Sequence, residues 1–436
     1  MGDTITWQAP EWLNNSKYLE TILENYLHDN SVKIEYIQLK PATANGENYA
    51  SVMTRIKIYF RQGEEEEDGN LQHLSFIMKC CHTSDPVLED LMKGYDLYRT
   101  EMQMYEEVLP KMSKILQNVE SDSEQLFAQT LNVDYEKSTI IFEDLSAKHY
   151  IMGNRLQGFN MLHAKFVVEK LAKFHAAAAV LNEQLNGELE TYNRGLFNEH
   201  TRGLGCMFEY MIEECAKFAR TDCDLGEYYH DKLMNIKPHI VDYATKAYST
   251  NNPNHFYTLC HGDLWINNIM LRYSRDNGVH DDDEVGEPIL EDILFVDFQF
   301  CSWTSPAIDL HYFFNTSLEP QLQMDILGLA ELVQLYHKNL SGMLNKLEYK
   351  GHIPSLHELR LQIEERHILA VTGILSDQAI ATSDQCDDAD VHCLVGDSVR
   401  ARNFRQNCYR NKRHQSIVRH FLPHLDRCGL LDLQEY

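Results

Sequence analysis

Hydrophobic and polar residues alternate in two stretches of the first third of the chain. Residues 53–60 place Ile56, Ile58 and Phe60 on one face of an extended chain, and residues 73–80 repeat the pattern with Phe76 and Met78. A period of two is typical of strands with one buried face. The acidic, glycine-containing residues 61–70 lie between the two stretches, so the pattern predicts a hairpin.

Apolar residues spaced by three and four predict helices on either side of this hairpin, over residues 10–28 and 86–109. We expect Pro110 to end the second helix. Glu101 falls on the apolar stripe of that helix. A carboxylate on a buried face is unfavourable unless a cation meets it, so the pattern predicts a buried partner for Glu101.

The remainder of the chain predicts one more strand and then a helical region. Residues 138–143 form a short apolar run, and from residue 164 onward the pattern is mostly helical. Residues 269–273 and 293–296 interrupt it as two short strands. A sheet-rich first third followed by helices indicates an α+β protein, in the order expected of a kinase-like fold. We expect an N-terminal helix in residues 1–30, a sheet region in 31–145 and a helical region in 146–436.

Composition narrows the class of function. The 436 residues include 39 Lys and Arg against 66 Asp and Glu, a net charge of −27, so nucleic acid and anionic lipid are not expected partners. No apolar stretch is long enough to predict a membrane span, and the first residues lack the features of a secretory signal. The eleven cysteines include no Cys-x-x-Cys pair, which disfavours a zinc site. We therefore expect a cytoplasmic protein with reduced thiols.

The strongest chemical signal lies in residues 260–270. Asp263 is followed five residues later by Asn268, in a loop that enters a predicted strand. A second carboxylate, Asp297, follows the strand at 293–296. Phosphoryl transfer needs a carboxylate that handles the hydroxyl proton and oxygen ligands for Mg²⁺, and this spacing predicts both in one pocket.

The motif His-Gly-Asp-x-Trp-x-x-Asn followed by Val-Asp-Phe-Gln resembles the ecdysteroid kinase-like family of arthropods. Its members carry a choline-kinase-like domain and are related to choline kinases and aminoglycoside phosphotransferases. The resemblance runs through nearly the whole chain, in matching segments at residues 10–13, 46–51, 101–110, 142–145, 171–176 and 305–310. It implies a two-lobed, protein-kinase-like fold with a small antiparallel-sheet lobe and a large helical lobe.

The resemblance also implies roles for individual residues. Asp263 would be the catalytic base, and Asn268 and Asp297 would hold Mg²⁺. Lys79 would contact the α- and β-phosphates of ATP, with Glu101 as its ion-pair partner.

Further roles follow from the same resemblance. The loop containing Gly46, Asn48 and Ser51 would cover the nucleotide phosphates. The segment Glu143, Asp144 and Leu145 would be the hinge beside adenine, offering backbone groups. Asp309 would brace the catalytic loop.

Other residues of these motifs have plainer interpretations. His175, on an apolar helix face, is expected to be a core histidine with satisfied hydrogen bonds, and His261 is expected to be structural. Trp265 fits a substrate pocket and loop packing equally well. The aromatic-rich residues 187–248 are a candidate acceptor region, although core packing explains their composition too.

The predicted function is transfer of the ATP γ-phosphoryl group to an alcohol of a small molecule, with Mg²⁺. The family resemblance suggests an ecdysteroid or a hydroxylated xenobiotic, in insect hormone storage or detoxification. Two alternatives stay open: a choline- or ethanolamine-type kinase, and a non-catalytic nucleotide-binding pseudokinase. We expect the protein to be a monomer.

Overall fold

The computed structural model describes residues 9–42, 51–63, 70–81, 85–120, 125–274, 288–384 and 390–434. The chain divides into two compact units. The first comprises Met1–Glu89 and Ala128–His149, and the second comprises Asp90–Phe127 and Tyr150–Tyr436.

The first unit is a five-stranded antiparallel sheet with one helix against it. After a 3₁₀ turn (Glu11–Asn14), its elements in chain order are α1 (Ser16–Leu27), β1 (Lys33–Pro41), β2 (Ser51–Arg61), β3 (Gln72–Cys81), β4 (Thr130–Asp134) and β5 (Thr139–Glu143). The strand order is β1-β2-β3-β5-β4. A second 3₁₀ turn (Leu145–Lys148) ends the unit.

Alternation along the strands explains the core of this unit. Ile56, Ile58 and Phe60 of β2 and Phe76 and Met78 of β3 are buried together. The apolar face of α1 covers them, in a single cluster with the strand residues. The helix, the two strands and the buried face predicted for this part of the chain are therefore confirmed.

The second unit is mostly helical. The unit boundary at Asp90 falls within α2 (Pro86–Tyr95), which is followed by α3 (Leu97–Gln103), a π-helical turn (Met104–Val108) and α4 (Leu109–Gln117). β6 (Tyr150–Met152), α5 (Met161–Gln184), a 3₁₀ turn (Glu188–Thr191), α6 (Gly205–Thr221), α7 (Gly226–Ile236), a 3₁₀ turn (Lys237–His239) and α8 (Ile240–Ala247) follow.

The segment that carries the predicted chemistry is a group of short strands and turns. It contains β7 (Thr258–Cys260), a 3₁₀ turn (Ile266–Asn268), β8 (Ile269–Tyr273), β9 (Leu290–Phe295) and β10 (Ser302–Thr304). One antiparallel sheet has the order β6-β8-β9, and β7 pairs with β10. The two strands predicted within the helical region are thus present.

Helices complete the unit: α9 (Ala307–Thr316), α10 (Pro320–Gln323), α11 (Ile326–Lys346), α12 (Leu356–Glu365), α13 (Leu369–Thr372), a second π-helical turn (Gly373–Asp377), α14 (Gln378–Ala381), α15 (Val391–Val395), α16 (Val399–Arg410) and α17 (Lys412–Arg427). A sheet unit and a helical unit confirm the α+β class. None of the helices in the described ranges has both the length and the apolar character needed to span a bilayer.

The single helix predicted over residues 86–109 is wrong in two respects. Asp96 has a φ of 55° and separates α2 from α3. Pro110 does not end the helical run, because it occupies the first turn of α4, which continues to Gln117. Proline is tolerated there because the first N–H groups of a helix need no acceptor within the helix.

Candidate functional site

The loop that follows β7 is shaped by a glycine. Gly262 has a φ of 81°, and a Cβ at this position would lie 2.2 Å from the carbonyl oxygen of Phe300. A side chain would meet both an unfavourable backbone conformation and a backbone atom that cannot move aside. Glycine therefore lets the chain pass close to residue 300 immediately before Asp263.

Asp309, on α9, holds this loop in place through its carboxylate. Its carboxylate accepts hydrogen bonds from the backbone N–H groups of His261 at 2.7 Å and Gly262 at 2.8 Å, and from His175 Nε2 at 3.0 Å. Burial alone would raise the pKa of Asp309, but the hydrogen bond and charge of His175, with the neighbouring His261 and Gly262, hold it below its ordinary value. The bracing role that the resemblance implied for Asp309 is consistent with these contacts.

His175 is fully buried on α5 and both of its ring nitrogens have partners. Nδ1 lies 2.7 Å from the hydroxyl of Tyr336, and Nε2 lies 3.0 Å from Asp309. This agrees with the expectation of a core histidine. Its function is to support the carboxylate that holds the loop.

Asp263 and Asn268 contact each other directly. The Asn268 side-chain amide donates to the backbone carbonyl of Asp263 at 2.8 Å and to its carboxylate Oδ2 at 3.1 Å. The backbone carbonyl of Asn268 accepts from the N–H of Val296 at 3.0 Å. Since Val296 precedes Asp297, these contacts bring the three predicted residues together.

His261 connects the two loops that carry these residues. Its Nε2 lies 3.0 Å from the carbonyl oxygen of Val296, and its Nδ1 lies 3.3 Å from the backbone N–H of Asp263. A neutral imidazole with the proton on Nε2 satisfies both contacts. Burial lowers the pKa of His261, which favours this neutral form and agrees with the structural role expected of it.

A buried ion pair holds the strand that leads to Asp297. Lys170 Nζ on α5 donates to Asp292 Oδ1 at 2.5 Å and to the carbonyl of Gln125 at 2.9 Å, and it also contacts the carbonyl of Ile293. The hydroxyl of Tyr150 donates to the other oxygen of Asp292 at 2.5 Å. This ion pair fixes β9, and in the sequence only a lysine within an apolar helix indicated it.

Asp297 itself has an unusual backbone, with a φ of 69°. Asp and Asn tolerate this region better than most residues. The backbone N–H of Asp297 donates to the hydroxyl of Tyr105. Burial raises the pKa of Tyr105 well above its ordinary value, and the charges of Glu101 and Asp297 raise it further. Tyr105 is a residue to which the sequence assigned no role.

The donor set fits a magnesium ion. Because the Asn268 amide nitrogen is used by Asp263, the amide oxygen Oδ1 faces away from that contact. Asp297 carries a carboxylate and directly follows Val296, whose N–H contacts the backbone carbonyl of Asn268. Amide and carboxylate oxygens are the ligands that Mg²⁺ prefers, so Asn268 and Asp297 could hold the ion, as the sequence predicted.

The remaining predicted residues lie mainly in the first unit. Lys79 is buried on β3, opposite Met53 of β2 and Ile140 of β5. Glu101 is buried on α3 of the second unit, so its pairing with Lys79 stays a prediction. Ser51 begins β2, whereas Gly46 and Asn48 lie outside the described residues.

The proposed hinge has its acidic side chains in structural contacts. Asp144 accepts from Arg55 Nε at 2.8 Å and from the hydroxyls of Ser75 and Ser146 at 2.6 Å. Glu143 accepts from the backbone N–H of Gln129 at 2.7 Å and pairs with Lys148. An adenine bound at Glu143, Asp144 and Leu145 would therefore use backbone groups, as the resemblance implied.

Three further polar residues approach Asp263 that sequence reasoning missed. Burial raises the pKa of Tyr312 on α9, and the nearby Asp263 carboxylate raises it further. Two further residues lie near Asp263: Tyr248, which follows α8, and Asp377, in the second π-helical turn. Burial raises the pKa of both, and the charge of Asp263 adds to this rise. The available signals were a tyrosine three residues after Asp309 and a single acid inside the apolar run of residues 368–381.

Comparison with known proteins places the chain in a family. A sequence model of the ecdysteroid kinase-like family matches residues 45–349, and no curated protein matches the chain. One similar solved structure, Plasmodium vivax ethanolamine kinase, is 13% identical, covers 93% of this chain and 89% of its own, and superposes with a TM-score of 0.42. Because the family model matches well over half of the 436 residues, the chain belongs to the ecdysteroid kinase-like family.

Proposed function

We propose that this protein transfers the γ-phosphoryl group of Mg·ATP to a hydroxyl group of a small molecule, an ecdysteroid or a hydroxylated xenobiotic. Membership of a kinase-like family supports a small-molecule kinase. The observation that carries the proposal is the contact of Asn268 with both Asp263 and the segment before Asp297.

In this proposal each residue has a separate task. Asp263, half-buried at the end of a fixed loop, accepts a hydrogen bond from the acceptor hydroxyl. It takes the proton as the new P–O bond forms and the bond between the γ-phosphorus and ADP breaks, so that ADP leaves. Asn268 fixes the orientation of the Asp263 carboxylate through its amide nitrogen and offers its amide oxygen to the metal. Mg²⁺, when bound, neutralises charge on the phosphate oxygens.

The rigidity of the loop matters to this chemistry. Displacing a reacting group by about 1 Å can lower a rate by roughly 10²-fold. Asp309, His175 and Gly262 hold the backbone on one side of Asp263, and His261 connects it to Val296 on the other. Asp263 is therefore positioned before any acceptor arrives.

Two substitutions separate the proposed tasks. Asp263→Asn should lower turnover by roughly 10²- to 10⁴-fold, the usual contribution of general-base catalysis, while Mg·ATP still raises the melting temperature. Asp297→Asn should instead reduce the stabilisation by Mg·ATP itself. The exposed Asp242→Asn is a matched control, because this carboxylate pairs only with Arg202 among the described residues, at the surface.

The assay combines labelled ATP with a metabolite extract, and then with purified candidate acceptors. Near-parental turnover in Asp263→Asn would remove the general-base role, and unchanged Mg·ATP stabilisation in Asp297→Asn would remove the metal role. Nucleotide binding with no labelled product from any extract would favour a pseudokinase. Labelling of choline or ethanolamine alone would favour that type of kinase.

A further inference from the structure

A carboxyl group next to Asp263 has no role in the chemistry described so far. Asp377 closes the second π-helical turn, Gly373–Asp377. Its Oδ2 is buried and has no hydrogen-bond partner among the described residues. A buried polar atom without a partner costs about 1–3 kcal/mol, and π-helical turns occur frequently at functional sites. Both features point to a ligand-binding role for Asp377.

The surroundings of Asp377 are polar and include Asp263. Burial raises the pKa of the Asp377 carboxyl well above its ordinary value, and the charge of Asp263 raises it further. Burial raises the pKa of Tyr312 and of Tyr248, and the charges of both carboxyl groups raise each pKa further. Each of the four residues nevertheless keeps part of its surface exposed to solvent.

Close packing places the π-helical turn beside the loop-bearing helix. The turn packs against α9, which carries Asp309 and Tyr312. At the point of contact, a Cβ on Gly373 would lie 2.9 Å from the Cβ of Asn315. Glycine therefore permits the approach that brings Asp377 toward Asp263.

We propose that Asp377, with Tyr312 and Tyr248, forms the acceptor subsite, and that this subsite takes a neutral polyol whose second hydroxyl group hydrogen-bonds to Asp377. This inference rests on the proposed function and adds the residues that bind the acceptor. Asp263 contacts the hydroxyl that is phosphorylated. A neighbouring hydroxyl of the same acceptor supplies the hydrogen-bond partner that the buried Oδ2 of Asp377 lacks. A neutral carboxyl group both donates and accepts, which suits a hydroxyl partner.

The alternative acceptor is a cation such as choline. An ammonium group would need an ionised carboxylate as its partner, whereas burial disfavours the charged form of the Asp377 carboxyl group. Asparagine discriminates between the two chemistries, because its amide donates and accepts as a neutral carboxyl group does but cannot be a counter-ion.

The test measures KM for the acceptor in the parent protein and in Asp377→Asn, Asp377→Leu and Asp242→Leu. The probes are a polyhydroxylated ecdysteroid, choline and ethanolamine, each with Mg·ATP. We expect turnover of the ecdysteroid, a KM for it within about threefold of the parent in Asp377→Asn and Asp242→Leu, and a rise of about tenfold or more in Asp377→Leu. The loss of one buried hydrogen bond corresponds to such a factor.

KM for ATP should stay near the parental value in all variants, and Mg·ATP should still raise their melting temperatures, which separates an acceptor effect from misfolding. An unchanged ecdysteroid KM in Asp377→Leu overturns the subsite. Turnover of only the cationic acceptors, or of none of the three, overturns the neutral-polyol assignment. Failure of the proposed function has a different signature, because parental protein would then show no Mg·ATP stabilisation or no labelled product from any extract.

Discussion

Replacing Asp309 by asparagine tests how the catalytic loop is held. Both carboxylate oxygens face N–H donors: Oδ1 accepts from Gly262, and Oδ2 accepts from the N–H of His261 and from His175 Nε2. An asparagine must turn its NH₂ group toward one of these donors in either orientation. The less damaging orientation loses the bond to Gly262 and brings two donors together.

The expected loss follows from these contacts. A hydrogen bond to a charged group contributes about 1.5–3 kcal/mol, and breaking a buried charged pair typically costs about 3–5 kcal/mol. We expect Asp309→Asn to lower the free energy of unfolding by about 3–5 kcal/mol. Turnover should fall by roughly 10²-fold, because Asp263 follows the loosened backbone.

The pH dependence of stability tests independently whether Asp309 acts as an ionised carboxylate. The pKa of Asp309 is lowered in the folded state, so its contribution is fully present above its unfolded pKa of about 3.9 and is lost as pH falls through the folded-state value. The stability gap between parent and Asp309→Asn should therefore be constant near neutral pH and shrink below about pH 4.

Urea unfolding monitored by circular dichroism measures the gap, with Asp242→Asn as the control. That exposed carboxylate pairs with Arg202, and exposed pairs contribute about 0–1 kcal/mol. If Asp309→Asn proves as stable as Asp242→Asn, or if the gap widens in acid, the carboxylate does not hold the loop as an ionised acceptor.

Three further substitutions probe the same unit. Gly262→Ala should lower stability by more than Gly226→Ala. Both glycines have a positive φ, but only at Gly262 would a Cβ lie 2.2 Å from a carbonyl oxygen, whereas Gly226 faces open space. Equal losses of stability in urea unfolding would contradict the steric argument. Lys170→Met should lower stability by about 3–5 kcal/mol, because it removes the buried cation from Asp292 and leaves only the partly exposed Arg272 at 3.8 Å. Adding Asp292→Leu should recover part of the loss, so a double variant that is less stable than the single variant would refute the argument. Gly342→Ala, inside α11 with open space around its Cβ, should raise stability by about 0.5–1 kcal/mol, and a lower melting temperature would show that the helix is constrained there.

Alternating apolar residues allowed β2 and β3 to be predicted from the sequence. β2 and β3 have a strict period of two because α1 covers one face of both. β1 was missed because a bulge between Ile34 and Tyr36 shifts its register, so its apolar residues do not alternate. β7 and β10 have three residues each, too few to show any period.

The break in the predicted helix over residues 86–109 was hidden for a different reason. Aspartate tolerates a positive φ better than most residues, but it also occurs within helices, so its presence alone does not show that Asp96 has a positive φ. The π-helical turn after α3 adds a residue to one turn without interrupting the apolar stripe. Both features depend on packing rather than on local propensity.

The candidate site shows the same division between local and long-range information. Asp263 and Asn268 could be predicted because five residues of one loop fix their separation, and a backbone hydrogen bond adds Asp297. Tyr312 and Asp377 could not, because they reach Asp263 only through the packing of α9 against the π-helical turn.

Buried polar residues on apolar helices were nevertheless visible in the sequence, and in this unit they support the candidate site. His175 and Lys170 lie on α5, and they support Asp309 and Asp292 respectively. Because an uncompensated buried polar group is unfavourable, each implies a partner from a distant element. Since Asp309 holds the loop before Asp263 and Asp292 belongs to the strand before Asp297, one helix positions both carboxylates. A polar residue within an apolar helical stripe is therefore informative about a nearby site even when its partner cannot be named, and Asp377 is the residue of this kind whose partner is expected to be the acceptor.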